Sequence, residues 1–307
     1  MSQFHPTISR ESLQDKVIVL TGGAHGIGKS LVELCTQHGA YVCFGDIDEK
    51  AGRGVEESAN ASQKSSPPTA RFVPVDVTNY QSVLSLFKTA LSLYGRIDHV
   101  VANAGIVERG NWFDPALTVE SVEEQPTTKV LDVNLLGCLY TARIASVYLR
   151  QNRREGQDRS LTLVSSVAGF KESPGLFVYQ ASKHGVLGLM RSLRKYITFP
   201  TTHNIRVNAI CPWMTETAMV AGIEDGWRKA QLPINQPLDV AKVITGVLAA
   251  EGQEERVSGM AMYVEGGRAW EIERNLDRLQ PQWLGEEPSE SLEKGQAVLG
   301  DGMNWAQ

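Results

Sequence analysis

Four cysteines, at positions 35, 43, 138 and 211, stand singly among apolar neighbours in a chain of 307 residues. They show no C-x-x-C or other metal-ligand spacing, which argues against a disulfide framework or a zinc module and leaves them as buried small hydrophobes. No metal site is expected. Positive charge is not in excess either: the formal net charge is −5, and Arg153-Arg154 is the nearest approach to a basic cluster. Binding to nucleic acid or to an anionic membrane therefore has no electrostatic support. No apolar run approaches the ~18 residues of a membrane span. Met1 to Lys16 lacks the charged start, apolar middle and small-residue cleavage site of a secretory leader, so a cytoplasmic protein is expected. No internal repeat of fixed period is found.

What is present is the balance of a globular protein, 42% hydrophobic and 21% charged. The length suits one large domain. Short β-branched runs alternate with longer helical patterns. The strand pattern fits Val17 to Leu20, Tyr41 to Asp46, Ala70 to Val75, His99 to Ala102, Leu161 to Ser165, Arg206 to Ile210 and Met262 to Val264. The first helix is expected over Gly28 to His38. Regular alternation of this kind predicts an α/β fold, a single doubly wound parallel sheet with helices on both faces. Three stretches read as exposed loops: Asn60 to Thr69, Val107 to Thr128 and Gln151 to Arg159. After Gly266-Gly267 a further forty residues carry Trp270, Leu276 and Trp283 into an acidic end. The aromatics of Trp270 to Leu284 are expected to cover the entrance of a binding site or a neighbouring subunit.

Between the first strand and the first helix lies Thr21-Gly22-Gly23-Ala24-His25-Gly26-Ile27-Gly28. Glycines there let the backbone turn tightly and approach a pyrophosphate, which the free N–H groups of the following helix attract. The expected cofactor contacts are Gly22, His25, Gly26, Ile27 and Gly28. Eighteen residues beyond Gly28 the second strand ends at Asp46, beside Ile47. A carboxylate there accepts hydrogen bonds from an adenosine ribose and repels a 2′-phosphate, which favours NAD over NADP. His25 and Lys50 are nearby cations that oppose this preference. Asp46 is alternatively a turn cap; Asp76, next to Val77, either receives an adenine amino group or caps a helix.

Tyr179 and Lys183 are four residues apart in a helical pattern and so share one face. A phenol titrates near pH ~10 and exchanges protons near neutrality only when a fixed positive charge stabilises the phenolate, which an ammonium can supply.

Taken together, Thr21 to Gly28, Asp76-Val77, Asn103-Ala104-Gly105, Asn134 within Val133 to Gly137, and Ser166 followed by Tyr179 and Lys183 resemble the short-chain dehydrogenase/reductase family. The resemblance runs from Lys16 to Gly267. It implies a Rossmann-type NAD-binding domain over 1–267 and an extension over 268–307. It also implies Tyr179 as general acid/base, Lys183 stabilising the phenolate and holding the nicotinamide ribose, Ser166 orienting the reacting oxygen, and Asn134 holding a water that links Lys183 to solvent. Ser165 is the rival serine, and Asn134 alternatively satisfies backbone within its own helix. Asn103, Ala104, Gly105, Pro212, Thr215 and Thr217 are the remaining cofactor positions. Trp213 stands where the family carries a glycine, so either its φ avoids the left-handed region or its indole lines the pocket.

By the same resemblance the segments after Ser166 and Pro212 wall the substrate pocket, with Phe170, Phe177, Trp213, Met219 and Trp227 as its expected lining. These side chains, with few fixed charges among them, suggest a bulky lipophilic secondary alcohol or ketone of secondary metabolism, terpenoid, steroid-like or polyketide. A homodimer or homotetramer is implied. The alternatives are an NADPH-dependent ketoreductase and a cofactor-sensing protein without turnover.

Overall fold

Runs such as Val17–Thr21 are buried along their whole length, as strands covered on both faces must be. The computed structural model describes residues 3–61, 67–154, 156–199, 203–250 and 257–299. Strand β1 (Gln3–Phe4) and helix α1 (Arg10–Leu13) precede the first parallel strand, β2 (Val17–Thr21). Then come α2 (Gly26–Gln37), β3 (Tyr41–Asp46), α3 (Glu49–Asn60), β4 (Ala70–Pro74), α4 (Tyr80–Tyr94) and β5 (His99–Ala102). The second half holds α5 (Lys129–Leu131), α6 (Gly137–Tyr148), β6 (Ser160–Val164), α7 (Phe177–Leu193), β7 (Arg206–Pro212), α8 (Glu224–Lys229), α9 (Pro237–Leu248) and β8 (Ala261–Glu265). Beyond it lie β9 (Arg268–Glu271), α10 (Glu273–Arg278), α11 (Gln280–Leu284) and α12 (Glu286–Leu299).

The strands form one sheet in the order β1-β9-β8-β7-β6-β5-β2-β3-β4. Strands β2 to β8 are parallel, and the order reverses between β2 and β5. Ligands of such sheets bind at the carboxyl ends of the strands beside that reversal. Period-2 alternation divides the core: Ile18 and Leu20 join α2, α3 and α9, whereas Val19 faces the other way, toward α4, α6 and α7. Each fully buried leucine in these layers contributes about 1.5–3 kcal/mol relative to exposure.

Four expectations need correction. The sheet is not wholly parallel and does not stop at the strand around Met262 to Val264: Arg268–Glu271 pairs antiparallel with β8, and Gln3–Phe4 pairs antiparallel with Arg268–Glu271. A four-residue strand directly after a glycine pair has too little pattern to be seen in sequence. Helix α2 begins at Gly26, two residues early. Arg159, expected in an exposed loop, is almost wholly buried, with Nη1 2.6 Å from Asp98 Oδ1. Finally, Lys129–Tyr148 is long and apolar enough to cross a membrane by composition. Here it packs against α4 and α7 and buries Asn134, Thr141 and Ile144, as a core helix does. The expected loop at 60–69 falls partly on residues outside those described.

Candidate active site

A cavity of about 1510 Å³ opens along the carboxyl ends of the parallel strands, from Asp46 and Ile47 at one end to Trp213 and Trp227 at the other. Its volume exceeds the 300–1,000 Å³ usual for a single small ligand. The glycine loop forms one wall. Gly22 has φ +73°, and a Cβ there would come within 2.7 Å of Ala104 Cα. At Gly28 a Cβ would meet Gly22 O at 1.8 Å, so Gly28 lets helix and loop pack closely and does not itself line the cavity. That is a correction to its expected contact role. Gly22, His25, Gly26 and Ile27 do line it. His25 is the N-cap of α2 but makes no side-chain cap bond; its ring pairs with Asp48 at 2.9 Å instead. The N-terminus of α2 therefore faces the cavity without a capping side chain, a cradle that fits a pyrophosphate.

Asp46 accepts N–H bonds from Ala24 (3.0 Å) and Asp48 (3.1 Å), one on each oxygen. It therefore caps the turn and lines the cavity at once, since each carboxylate oxygen accepts more than one bond. The helix cap beside it is Asp48, whose Oδ1 accepts from Ala51 N at 3.0 Å. That amide, then the His25 ring, holds the Asp48 carboxyl below its usual range. Asp76 is not a helix cap: Oδ1 accepts from Thr78 N and Thr78 Oγ1, and Asn79 caps α4. Asp76, Ile47 and Val77 line the same end. Asn103 Nδ2 donates to Thr21 O and Gly22 O, so its side chain holds the glycine loop, while Ala104 and Gly105 continue the wall.

Ser166, Tyr179 and Lys183 all line the cavity. Ser165 is distinguished from Ser166 by its bonds: Ser165 Oγ donates to Lys183 O (2.8 Å), whereas Ser166 Oγ accepts from Ala168 N (3.2 Å). The Ser166 proton can thus point to a reacting oxygen. Lys183 is buried, its Nζ 3.0 Å from Val164 O and 5.6 Å from the centre of the Tyr179 ring. An ammonium has two further N–H groups to offer a phenolate and a ribose. Asn134 sits in a π-helical turn, Asp132–Leu136, a local widening frequent at functional sites. Its amide bonds both backbone groups of Ile106 (2.8 and 2.9 Å) and donates to Ser182 Oγ at 3.0 Å. It does not serve the backbone of its own helix. A Cβ at Gly105 would lie 3.3 Å from Asn134 Oδ1 and 3.4 Å from Lys183 Nζ, so glycine keeps a gap between the two.

At the far end Trp213 packs edge-to-face on Trp227, ring centres 5.2 Å apart, and both line the cavity with Met214, Met219 and Ile223. Trp213 is not among the described residues with positive φ, so the backbone and the pocket together accommodate it in the glycine's place. Thr217 lies over Gly26, and Thr215 Oγ1 donates to Trp213 O; both line the cavity with Pro212. Two expected pocket residues do not. Phe170 packs on Tyr263, and Phe177 packs on Phe113. Nearness in sequence to Ser166 and Tyr179 says nothing of which way a side chain turns. Lys129, Asp132, Glu172 and Glu216 also border the cavity, so its rim is more charged than expected. No described residue of the tail lines it: Trp270 stacks on Tyr263, and Trp283 is 59% exposed. Among the described residues no group of three His, Cys, Asp or Glu could hold a metal. The cysteines are buried, which pushes their thiols up to about 12.

One residue escaped sequence analysis. Glu108 accepts from the N–H groups of Phe177 and Tyr179, and a lone acid in a mixed-charge loop carries no signal of such a contact.

The chain is similar to known proteins in sequence and in fold. The family model for short chain dehydrogenase matches residues 16–227. The chain is 33% identical over 272 residues to the short-chain dehydrogenase/reductase ascJ of Acremonium egyptiacum, covering 86% of this chain and 83% of that protein. It is 27% identical over 300 residues to a 5'-hydroxyaverantin dehydrogenase of Dothistroma septosporum, covering 94% and 95%. In fold it matches a 3-ketoacyl-(acyl-carrier-protein) reductase of Brucella melitensis, solved with NADH, at TM-score 0.69, 23% identity and coverage of 83% and 98%. The chain belongs to the short-chain dehydrogenase family and is an NAD(P)-dependent oxidoreductase acting on alcohol and ketone groups.

Proposed function

We propose that this protein is an NAD-dependent dehydrogenase of a secondary alcohol on a bulky lipophilic molecule, working as a cytoplasmic homo-oligomer. The observation that carries the proposal is one cavity with the Asp46 carboxylate at one end, the Trp213–Trp227 wall at the other and Ser166, Tyr179 and Lys183 in its lining. Asp46 would accept bonds from a ribose diol and repel a 2′-phosphate. The basic side chain of the glycine loop, His25, is paired with Asp48 and offers a 2′-phosphate less.

A nicotinamide cofactor held by the glycine loop, Asp46 and Lys183 would supply the hydride acceptor. Ser166 orients the substrate oxygen, Tyr179 takes its proton, and the buried Lys183 stabilises the charge that forms. The indoles, Met214, Met219 and Ile223 exclude water and fix the ring system of the substrate. Reduction of a ketone is the same site run in reverse.

Titration with NADH and with NADPH, followed by tryptophan quenching, tests the cofactor, and a panel of bicyclic alcohols such as tetralol tests the substrate class. Tight NADH binding with alcohol-dependent turnover supports the proposal. Preferential NADPH binding would overturn the role given to Asp46 and turn the proposal toward a ketoreductase.

A further inference from the structure

The helix that carries Tyr179 begins without a cap of its own. Leu176 stands at the N-cap position of α7 and makes no side-chain cap bond, so the first N–H groups of the helix need acceptors from elsewhere. Glu108, in the loop that follows β5, provides both: Oε1 accepts from Phe177 N at 2.8 Å and Oε2 from Tyr179 N at 2.5 Å. The side chain is about nine-tenths buried. A buried carboxylate is unfavourable unless bonded, and two charge-assisted bonds at the positive end of a helix offset that.

The carbonyl of the same residue is held as well. Ser182 Oγ donates to Tyr179 O at 2.6 Å and accepts from Asn134 Nδ2, and Asn134 bonds both backbone groups of Ile106. The circuit closes through the chain, because Ile106 and Glu108 are separated only by Val107, which lines the cavity. Both peptide ends of Tyr179 are therefore tied to residues 106–108. That stretch continues directly from Asn103, Ala104 and Gly105, the cofactor-side wall.

We propose that Glu108 is a positioning residue for the reaction: by holding the amide of Tyr179 it sets the tyrosine hydroxyl against the cofactor-side wall of the cavity. The proposal rests on the role given to Tyr179 above. A displacement of about 1 Å lowers a rate by about a hundredfold, whereas loss of an ordinary helix cap lowers stability alone.

The test compares the unaltered protein, Glu108→Gln, Glu108→Ala and Tyr179→Phe with NADH or NAD and the tetralol and tetralone panel, well below each melting temperature. Glu108→Gln, which keeps the size and one acceptor, is expected to lower kcat about tenfold and Glu108→Ala about a hundredfold. KM and the Kd for NADH stay within about twofold, with unchanged circular dichroism. Variants that keep kcat within about twofold while melting earlier, or that lose KM or cofactor affinity in place of kcat, would overturn the proposal. An active parent with a dead Tyr179→Phe and unimpaired Glu108 variants sinks Glu108 alone. An inactive parent, or an active Tyr179→Phe, overturns the reading of the site and this proposal with it.

Discussion

At the amino ends of β5, β6 and β7 the fold buries Asp98, His99, Arg159 and Arg206; at the carboxyl ends of the same strands it gathers Asn103, Ser165, Ser166 and Pro212 around a cavity. The amino end holds the larger buried charges and is closed. Arg206 spans Asp158, at 2.6 and 2.8 Å, and the carbonyls of Val247, Leu248 and Val257. Asp98 meets Arg96, Arg159 and the amide of Val17. The carboxyl end buries one ammonium, Lys183, and leaves it beside open space. Buried charge is thus no mark of an active site; what marks one is a charge whose remaining bonds point into a cavity.

Breaking the closed end should destabilise the protein without changing its chemistry. Arg206→Met removes the bidentate partner of Asp158 and the donor to three carbonyls, and the expected loss is about 3–5 kcal/mol of unfolding free energy. Denaturant titration measures it, and kcat per folded molecule should not change.

Acid should find the same end next. Burial lowers the His99 pKa from 6.5 to about 4, because the ring is enclosed and Nε2 has no partner. The unfolded chain therefore takes up a proton that the folded one refuses, so stability is whole above pH 6.5 and falls as the pH drops through about 4. The loss is roughly 3 kcal/mol across that window. Urea unfolding at the two pH limits should show the slope in the parent and a flatter one in His99→Gln. Asp158 adds to it at lower pH: burial would raise its pKa, but Arg206 outweighs burial and brings it to about 2.

The smallest of these effects concerns the extension. Glu273 is buried and bidentate to Arg191 on α7, which is itself partly exposed, with Arg194 at 3.4 Å. Glu273→Gln should loosen α10 from the back of α7 and lower stability by about 1–2 kcal/mol, read by thermal melting.

Much of this was legible beforehand, for physical reasons. Strand and helix periods are local, and so are the glycine loop and the i, i+4 pair of Tyr179 and Lys183. The antiparallel edge was not legible, because β1 and β9 are two and four residues long. Arg159 was misread because its partner, Asp98, lies on another strand. Glu108 was invisible because it serves backbone N–H groups 69 and 71 positions away, which leave no residue-type signature. Phe170 and Phe177 were misplaced because adjacency in sequence does not fix the direction of a side chain.

The most direct measurement is the steady-state rate of Tyr179→Phe beside its NADH affinity and melting temperature. The variant should lose turnover by a factor of about 10³ while both binding and melting stay at the parent's values. Residual turnover above about a tenth of the parent's rate would contradict the assignment of the proton to Tyr179.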